Sequence, residues 1–334
     1  MNHGGTLLIS LDFELYWGVR DKISLDDYIK KYPGSRLIVS TLLNLFNKYQ
    51  VHVTWATVGL LFFETRNELI NALPVKKPDY INKNRSPYEF INNISSNEND
   101  EPFCYASSLI KNISDVPHQE IGTHTFSHYY CLEGGQDIDA FKSDLESAIK
   151  VAKKYNYILE SLVFPRNQFN PAYLDVCHEM GIKAYRGNES PWIYRAKSEE
   201  NPSWLSKGLR VLDGYFNISG YNCYSINNIE RKLPFNFPSS RLFFRPINAK
   251  LKILEPLRLR RIISDLNYAA RKGLVYHLWM HPHSLELSLW TNVLFIEKIL
   301  KYYLVMQKRY GMENLTMKEL ACLLLEKNRC QSNL

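Results

Sequence analysis

Gly122-Thr123-His124-Thr125-Phe126-Ser127-His128 is the stretch that bears most directly on the fold and the chemistry of this chain. It follows Gln119 to Gly122, a short segment of strand character, and carries two histidines four positions apart. On a helical turn this spacing places both imidazoles on one face. They could then share one ion, at about 2.0–2.1 Å each for zinc. Such a site needs a third protein ligand, usually a carboxylate, and an open position for water. The spacing by itself also fits a coincidence on a polar surface.

A candidate for the third ligand lies near the start of the chain. Thr6 to Leu11 is an apolar run of strand length that ends at Asp12-Phe13-Glu14. If the strand continues, Asp12 and Glu14 point to the same side, because residues two apart in a strand share a face. Two neighbouring carboxylates are costly unless a positive charge lies beside them. A metal ion would supply that charge; otherwise the two residues only terminate the strand.

The rest of the chain alternates between strand and helix patterns, which is typical of βα units and a parallel sheet. Strands are predicted at Val51–Val58, His118–Gly122, Leu159–Phe164, Ile182–Tyr185 and Leu274–Trp279. Helices are predicted at Arg36–Tyr49, Leu60–Leu73, Asp137–Tyr155, Pro171–Met180, Glu255–Lys272, Asn292–Tyr310 and Thr316–Lys327. Two stretches break the rhythm: a loop-rich insertion at about 75–117 and an irregular segment at about 190–254.

Polar side chains collect where these strands end. They are Asp12 and Glu14, His124 and His128, Arg166, Arg186, and His281 and His283. In a parallel α/β barrel the carboxyl ends of the strands converge on one face, where active sites lie. Ligands, bases and arginines at five strand ends therefore indicate a metal-dependent active site.

Composition limits the other classes of function. The chain has 334 residues, 45% hydrophobic and 22% charged, as in soluble globular proteins. Six scattered cysteines without a CxxC pair predict reduced thiols. We see no signal peptide and no membrane-spanning run, so we expect a cytoplasmic protein with a possible peripheral contact to the inner membrane face.

The formal net charge of +7 has three interpretations. Part of the excess comes from Arg241, Arg245, Arg258, Arg260 and Arg261. Nucleic-acid binding is disfavoured because no motif of that class accompanies the charge. A face near an anionic membrane or a phosphate-bearing substrate fits at least as well. An ordinary solvated face is the simplest interpretation.

Four short motifs carry a resemblance to a known family. They are LDFEL at Leu11–Leu15, HTFSH at His124–His128, FPRNQ at Phe164–Gln168 and MHPHS at Met280–Ser284. The chain resembles the polysaccharide deacetylase (NodB-homology) family of metal-dependent carbohydrate esterases, in a variant with Asp-x-Glu in the first motif. The resemblance runs from about Leu7 to Met312. It implies an α/β fold, a distorted (β/α) barrel of about seven strands, within a single domain at 1–315 and followed by a C-terminal helix and tail at 316–334.

The resemblance also implies roles for the motif residues. Glu14, His124 and His128 would hold a divalent metal, Zn²⁺ first, with Co²⁺, Ni²⁺ or Mn²⁺ as alternatives. Asp12 would be the general base and His281 the general acid.

Arg166 would hold and orient Asp12 as a third catalytic residue. His283 competes with His281 for the role of the acid. Substrate contacts are expected from Trp17, Asn167, Arg186 and His283. The chain departs from the family pattern at Phe13, where many members have a second aspartate, so the metal ligand shifts to Glu14.

The expected activity is removal of an N-acetyl or other acyl group from an amino sugar in a surface-polysaccharide or glycoconjugate intermediate. A nucleotide-linked or lipid-linked saccharide handled in the cytoplasm fits the lack of a signal peptide; nucleic acid is not expected as a partner. Two alternatives stay open. One is an O-acetyl esterase or deformylase built on the same site. The other is a non-catalytic relative that binds a glycan or a partner protein, which the departure at Phe13 allows.

Overall fold

The computed structural model describes residues 4–99, 101–194, 204–243 and 253–332; Arg245 lies outside them. The strands are β1 Thr6–Phe13, β2 Val53–Thr57, β3 Gln119–Thr123, β4 Ser161–Val163, β5 Ala184–Arg186, β6 Phe235–Asn236, β7 Arg241–Leu242, β8 Val275–Met280 and β9 Glu313–Leu315. The helices are α1 Leu25–Lys31, α2 Ser35–Tyr49, α3 Arg66–Asn71, α4 Tyr88–Ile91, α5 Ser107–Asp115, α6 Ile138–Lys154, α7 Leu174–Glu179, α8 Trp204–Asp213, α9 Glu255–Lys272, α10 Pro282–Leu285, α11 Leu289–Tyr310 and α12 Met317–Ser332.

The strands form one sheet in which every pair is parallel. Their order is β6-β5-β4-β3-β2-β1-β8-β7, and β9 pairs with β1. The two edges of the sheet meet on one short segment, residues 235–242, which holds both β6 and β7. Because β6 pairs with β5 and β7 pairs with β8, the sheet curls round on itself. Counted as one position, this segment gives seven positions around a barrel. The predicted (β/α) barrel is therefore confirmed.

The barrel interior changes from apolar to polar along its axis. On β1, Leu7, Ile9 and Leu11 belong to the large cluster that packs under the helices, whereas Leu8 lies in a separate cluster. The separate cluster joins residues of six strands to α12: Leu8, Ala56, Val163, Ala184, Phe235, Val275, Met317, Leu320, Ala321 and Leu324. Alternation along β1 then places Ser10 and Asp12 on the side of Leu8, nearer the strand's carboxyl end. The apolar end is thus filled, and the polar groups collect at the other.

Helix α12 begins on buried polar groups of the sheet. The backbone N–H of Lys318 donates to the Glu120 carboxylate at 3.1 Å, and that of Met317 donates to the Thr54 hydroxyl at 2.9 Å. Thr54 in turn donates to Glu120 at 2.7 Å. These bonds satisfy N–H groups that a first helical turn leaves without an intrahelical partner. The helix predicted at Thr316–Lys327 is therefore part of the barrel's packing.

Two predicted features differ in detail. The helix predicted at Leu60–Leu73 is a 3-10 turn at Gly59–Phe62 followed by α3. The break arises because the Thr65 side chain accepts from the N–H of Glu68 and starts a new helix there. The insertion at 75–117 contains α4 and α5, and its Phe90 ring packs on Tyr16 and Trp17.

In the described residues, no helix combines the length and the apolar character needed to cross a bilayer.

Candidate metal centre and active site

Glu14, His124 and His128 come together at the carboxyl end of the barrel. One oxygen of Glu14, Oε2, lies 3.0 Å from His128 Nε2 and 3.3 Å from His124 Nε2. All three side chains are buried, and their ligand atoms lie within 4.8 Å of one another. The structure thus brings the three residues predicted as metal ligands into one group that could bind a metal.

The protonation state of this group favours a cation. His124 Nδ1 lies 2.8 Å from the carbonyl oxygen of Val163. Because a carbonyl only accepts, Nδ1 must carry a proton, and in that tautomer Nε2 is the ring nitrogen that can offer a lone pair to an ion beside Glu14. Burial lowers the pKa of His128 to about 4, so the His128 ring is neutral at neutral pH. A carboxylate and imidazole nitrogens that converge in this way fit a zinc-type ion, and the His124–Val163 bond is the usual outer support of such a ligand.

The two histidines do not lie on a helical turn, so that prediction is wrong. Residues 124–130 form a loop, in which Thr125 and His128 have φ values of 62° and 59°. This left-handed conformation is strained for residues other than glycine, above all for β-branched threonine. The loop is held by Asp144 of α6, whose carboxylate accepts from the N–H groups of Phe126 at 2.8 Å and Ser127 at 3.0 Å. The strained loop, rather than helical spacing, aims both imidazoles at Glu14.

The third ligand depends on Gly18. The 3-10 helix Leu15–Gly18 directly follows Glu14 and folds back over it. A methyl group at Gly18 would lie 2.0 Å from the carboxyl carbon of Glu14. The space that the Glu14 side chain needs is therefore provided by the absence of a side chain four residues later, at Gly18.

Replacing Gly18 with alanine is expected to displace the Glu14 carboxylate and to lower metal affinity about 10- to 100-fold, the usual range for damage to the support of a ligand. Competitive metal titration would measure the change. Gly208→Ala is the control, because a methyl group there meets nothing within 4 Å. Unchanged affinity in a folded Gly18→Ala protein would show that Glu14 is not a ligand.

Asp12 is held by Arg186, not by Arg166. The guanidinium of Arg186 donates to both Asp12 oxygens, at 2.6 and 2.8 Å, and both side chains are buried. Burial would raise the pKa of Asp12, but neighbouring positive charge, that of Arg186 first, outweighs burial and lowers that pKa below its ordinary value. Asp12 is therefore ionised at neutral pH.

The predicted contact between Arg166 and Asp12 is wrong because the chain turns at Arg166. Its φ is 54°, and its guanidinium pairs with Asp21 and stacks over the Tyr130 ring at 4.7 Å. Arg186, in contrast, is the last residue of β5 and points into the barrel. It was expected to contact substrate, but its hydrogen bonds to Asp12 occupy it.

Further residues support this ion pair. Arg186 also donates to Ser10 Oγ at 3.0 Å and to Asn167 Oδ1 at 3.0 Å, and it lies 4.1 Å above the Trp279 ring. Asn167, predicted to bind substrate, thus holds the arginine. Ser10 was missed, although strand alternation places it on the face of Asp12. Its hydroxyl also contacts His277, whose pKa burial lowers to about 3.

His281 and His283, the two candidates for the general acid, differ in their exposure and surroundings. His281 Nε2 lies 3.6 Å from Asp12 Oδ2 and 3.7 Å from Glu14 Oε1, and its side chain is 30% exposed. The His283 side chain is only 6% exposed and packs against the rings of Tyr28 and Tyr32. His281 is the one that an incoming substrate could reach.

Trp17 does not form a sugar platform. Its ring is 1% exposed, packs on Phe90, and donates its indole N–H to the carbonyl of Cys104 at 2.9 Å. The predicted substrate contact is therefore wrong. Trp17 anchors the insertion to the loop that follows β1, which is the ordinary use of a buried tryptophan with a satisfied N–H.

Comparison with known proteins gives similarity at the level of structure. No model of a protein family matches the chain, and no curated protein matches it. A crystal structure of a candidate polysaccharide deacetylase from Mycobacterium smegmatis is similar with a TM-score of 0.60 at 11% identity, covering 98% of this chain and 92% of that one. One from Pseudomonas aeruginosa PAO1 gives 0.53 at 11% identity, covering 96% and 90%.

A third solved structure has a different activity in its name. The 4-alpha-glucanotransferase from Thermococcus litoralis gives a TM-score of 0.52 at 12% identity, covering 96% of this chain and 40% of that one. At these identities the likeness concerns the fold, and the reaction must be argued from the site. The resemblance found in the sequence is thus confirmed at the level of the fold: this chain has the (β/α) barrel seen in structures described as polysaccharide deacetylases.

Proposed function

We propose that this protein is a metal-dependent hydrolase of the polysaccharide deacetylase type, which removes an N-acetyl group from an amino sugar. The observation that carries the proposal is the placement of five side chains at one barrel end. A buried group of Glu14, His124 and His128 that could bind a metal lies beside a carboxylate, Asp12, and a partly exposed imidazole, His281. Ligands, base and acid are thus within reach of one another.

The residues divide the work between them. A divalent ion held by Glu14, His124 and His128 would polarise the acyl carbonyl and acidify a water molecule, toward a pKa of about 7 for zinc. Asp12, ionised and fixed by Arg186, can accept the proton of the attacking water. His281, on the exposed side, can donate a proton to the departing amine.

Two alternative functions remain. An O-acetyl esterase or a deformylase would use the same groups and differ only in the leaving group and the acyl pocket. A non-catalytic glycan or partner binder would explain the departure at Phe13, which lies buried against Trp55 and is no ligand. The pairing of Asp12 with Arg186 and the position of His281 argue for catalysis, because a binder needs neither base nor acid.

The substrate is proposed from charge and from the expected compartment. A nucleotide-linked or lipid-linked acetylated amino sugar, used in surface-polysaccharide assembly in the cytoplasm, would account for the basic character of the chain. A peripheral contact with the membrane face would then bring a lipid-linked substrate to the barrel.

The test is the metal content of protein purified without a histidine tag. We expect about one zinc or similar divalent ion per chain in the wild type, and none in the His124→Ala/His128→Ala variant, because removal of two of three ligands leaves no chelate. The His118→Ala/His178→Ala variant is the matched control, since both side chains are exposed. Metal content would be measured by mass spectrometry after dialysis and again after zinc is supplied.

The same preparations would be assayed for acetate release from acetylated amino sugars, free and nucleotide-linked. Hydrolysis that depends on the ion and disappears in the His124→Ala/His128→Ala variant supports the proposal. If the wild type binds no metal even when zinc is supplied, the catalytic assignment fails and the binding function is favoured.

A further inference from the structure

Two arginines lie against the Tyr130 ring beside the candidate metal centre, and a third arginine contacts one of them. The guanidinium carbons of Arg166 and Arg85 lie 4.7 and 5.5 Å from the centre of that ring. Arg20 joins them, since its guanidinium donates to the backbone carbonyl of Arg85 at 2.9 Å. We call Arg20, Arg85 and Arg166 the arginine cluster.

The cluster is assembled from three separate parts of the chain. Arg20 follows the loop that carries Glu14, Arg85 belongs to the insertion, and Arg166 follows β4. The buried carboxylate of Asp21 bridges Arg85 and Arg166. The bridge holds the two guanidinium groups side by side. The Asp21 carboxylate offsets the repulsion between their like charges.

Arg20 has no such carboxylate. Within the part of the chain that the structure describes, it forms no ion pair, and its neighbours are tyrosines and Arg166. Burial, together with repulsion from the like charge of Arg166, lowers the pKa of Arg20 below its ordinary value. A partly buried guanidinium without a counterion is the kind of group that binds an anion.

The cluster lies next to the reaction centre. The Tyr130 ring, against which Arg85 and Arg166 lie, is 5.2 Å from the imidazole of the predicted ligand His128. Asn167, the neighbour of Arg166, contacts Arg186 at 3.0 Å. An anion bound at the cluster would therefore lie beside the candidate metal centre.

We propose that the arginine cluster, through Arg20, binds a phosphate group attached to the amino-sugar substrate. This inference rests on the proposed function and narrows its substrate class to phosphate-linked acyl amino sugars. Phosphate fits better than a neutral sugar hydroxyl, because guanidinium groups pair with its oxygens in a bidentate, charge-assisted geometry. A nucleoside diphosphate and a lipid diphosphate would present the same group.

The kinetic test compares substrates with and without the phosphate. The probes are N-acetylglucosamine, its 1-phosphate, its uridine diphosphate conjugate and a short-chain prenyl diphosphate conjugate. We expect Arg20→Gln to lower kcat/KM for the phosphorylated probes about 10- to 100-fold, as for loss of one charged hydrogen bond, and to change it less than about twofold for N-acetylglucosamine. Arg20→Lys should restore part of the loss, and Arg271→Gln, at an exposed site, should change nothing.

A second readout does not depend on turnover. Calorimetry with metal-depleted protein would measure the binding of inorganic pyrophosphate, which Arg20→Gln should weaken about 10-fold or more. A preference between the uridine and prenyl conjugates would identify the source of the phosphate. Equal losses for neutral and phosphorylated probes, or unchanged pyrophosphate binding in Arg20→Gln, would overturn the inference and leave the proposed function intact. Arg20-dependent pyrophosphate binding without hydrolysis of any probe would support the anion site and reject the proposed function.

Discussion

Replacing Arg186 with glutamine is expected to lower kcat at neutral pH by about 10²- to 10⁴-fold, the contribution of a general base. The reason is the state of Asp12. Burial tends to raise the pKa of Asp12, but the positive charge around it, that of Arg186 first, lowers this pKa below its ordinary value. The carboxylate is therefore ionised and can accept a proton. Without the guanidinium, burial raises the pKa of Asp12. The carboxyl group then stays protonated up to a higher pH than in the wild type and cannot act as a base in that range.

The sign of the pH effect follows from this change. In the wild type, the activity that depends on ionised Asp12 is lost only as the pH falls through a low pKa. In Arg186→Gln the same loss occurs at higher pH, so the acidic limb of the kcat/KM profile should move upward and part of the activity should return as the pH rises. The measurement is a pH–rate profile of wild type and variant on one substrate.

Controls separate catalysis from folding. Removal of one partner from a buried ion pair can cost about 3–5 kcal/mol of stability, so each variant must be shown to be folded by circular dichroism. Arg186→Lys keeps the positive charge and should shift the limb less. Arg166→Gln is the decisive comparison, because Arg166 pairs with Asp21. If Arg166→Gln shifted the acidic limb and Arg186→Gln did not, the assignment drawn from the structure would be wrong.

Replacing His281 with glutamine is expected to lower kcat on an amide substrate by about 10²- to 10⁴-fold, because the departing amine must be protonated. His281 lies close to both Asp12 and Glu14 and is 30% exposed. The metal content should stay at the wild-type value, since His281 is not among the grouped ligands. Steady-state kinetics with acetylated amino sugars would measure the loss.

A substrate that needs no acid gives the control for His281. An aryl acetate such as 4-nitrophenyl acetate has a leaving group that departs as an anion, so His281→Gln should hydrolyse it at close to the wild-type rate. His283→Gln, at a buried position among tyrosines, should instead lower stability and affect both substrates alike. If His283→Gln reproduced the amide-selective loss, His283 would be the acid.

Much of the fold could be predicted because it depends on local pattern. The apolar run at Thr6–Leu11 is β1, extended to Phe13, and the basic helix predicted at Glu255–Lys272 is α9 with the same bounds. Gly273 ends α9 with a φ of 66°, as expected for a glycine that follows a helix. Strand β9 was not predicted, and the few short strands expected in the irregular segment that holds β6 and β7 could not be placed, since two or three residues carry too little periodicity to be recognised.

The choice between the two arginines shows where the sequence was insufficient. Arg166 and Arg186 both follow predicted strands, and nothing in their local sequence states which one points inward. The left-handed turn at Arg166, and the partner Asp21 on a distant loop, decide it. A backbone conformation of that kind is held by its surroundings, so it becomes visible only when the surroundings are known.

The sequence by itself determined that polar residues lie at the ends of parallel strands, and so that Asp12, Glu14, His124, His128 and His281 meet at one end of a barrel. It could do so because strand periodicity and motif spacing are local properties. Only the tertiary structure decided which groups touch: Arg186 rather than Arg166 on Asp12, and a strained loop held by Asp144 rather than a helical turn. These contacts join residues far apart in the chain, and their geometry is set by packing, which no local pattern encodes.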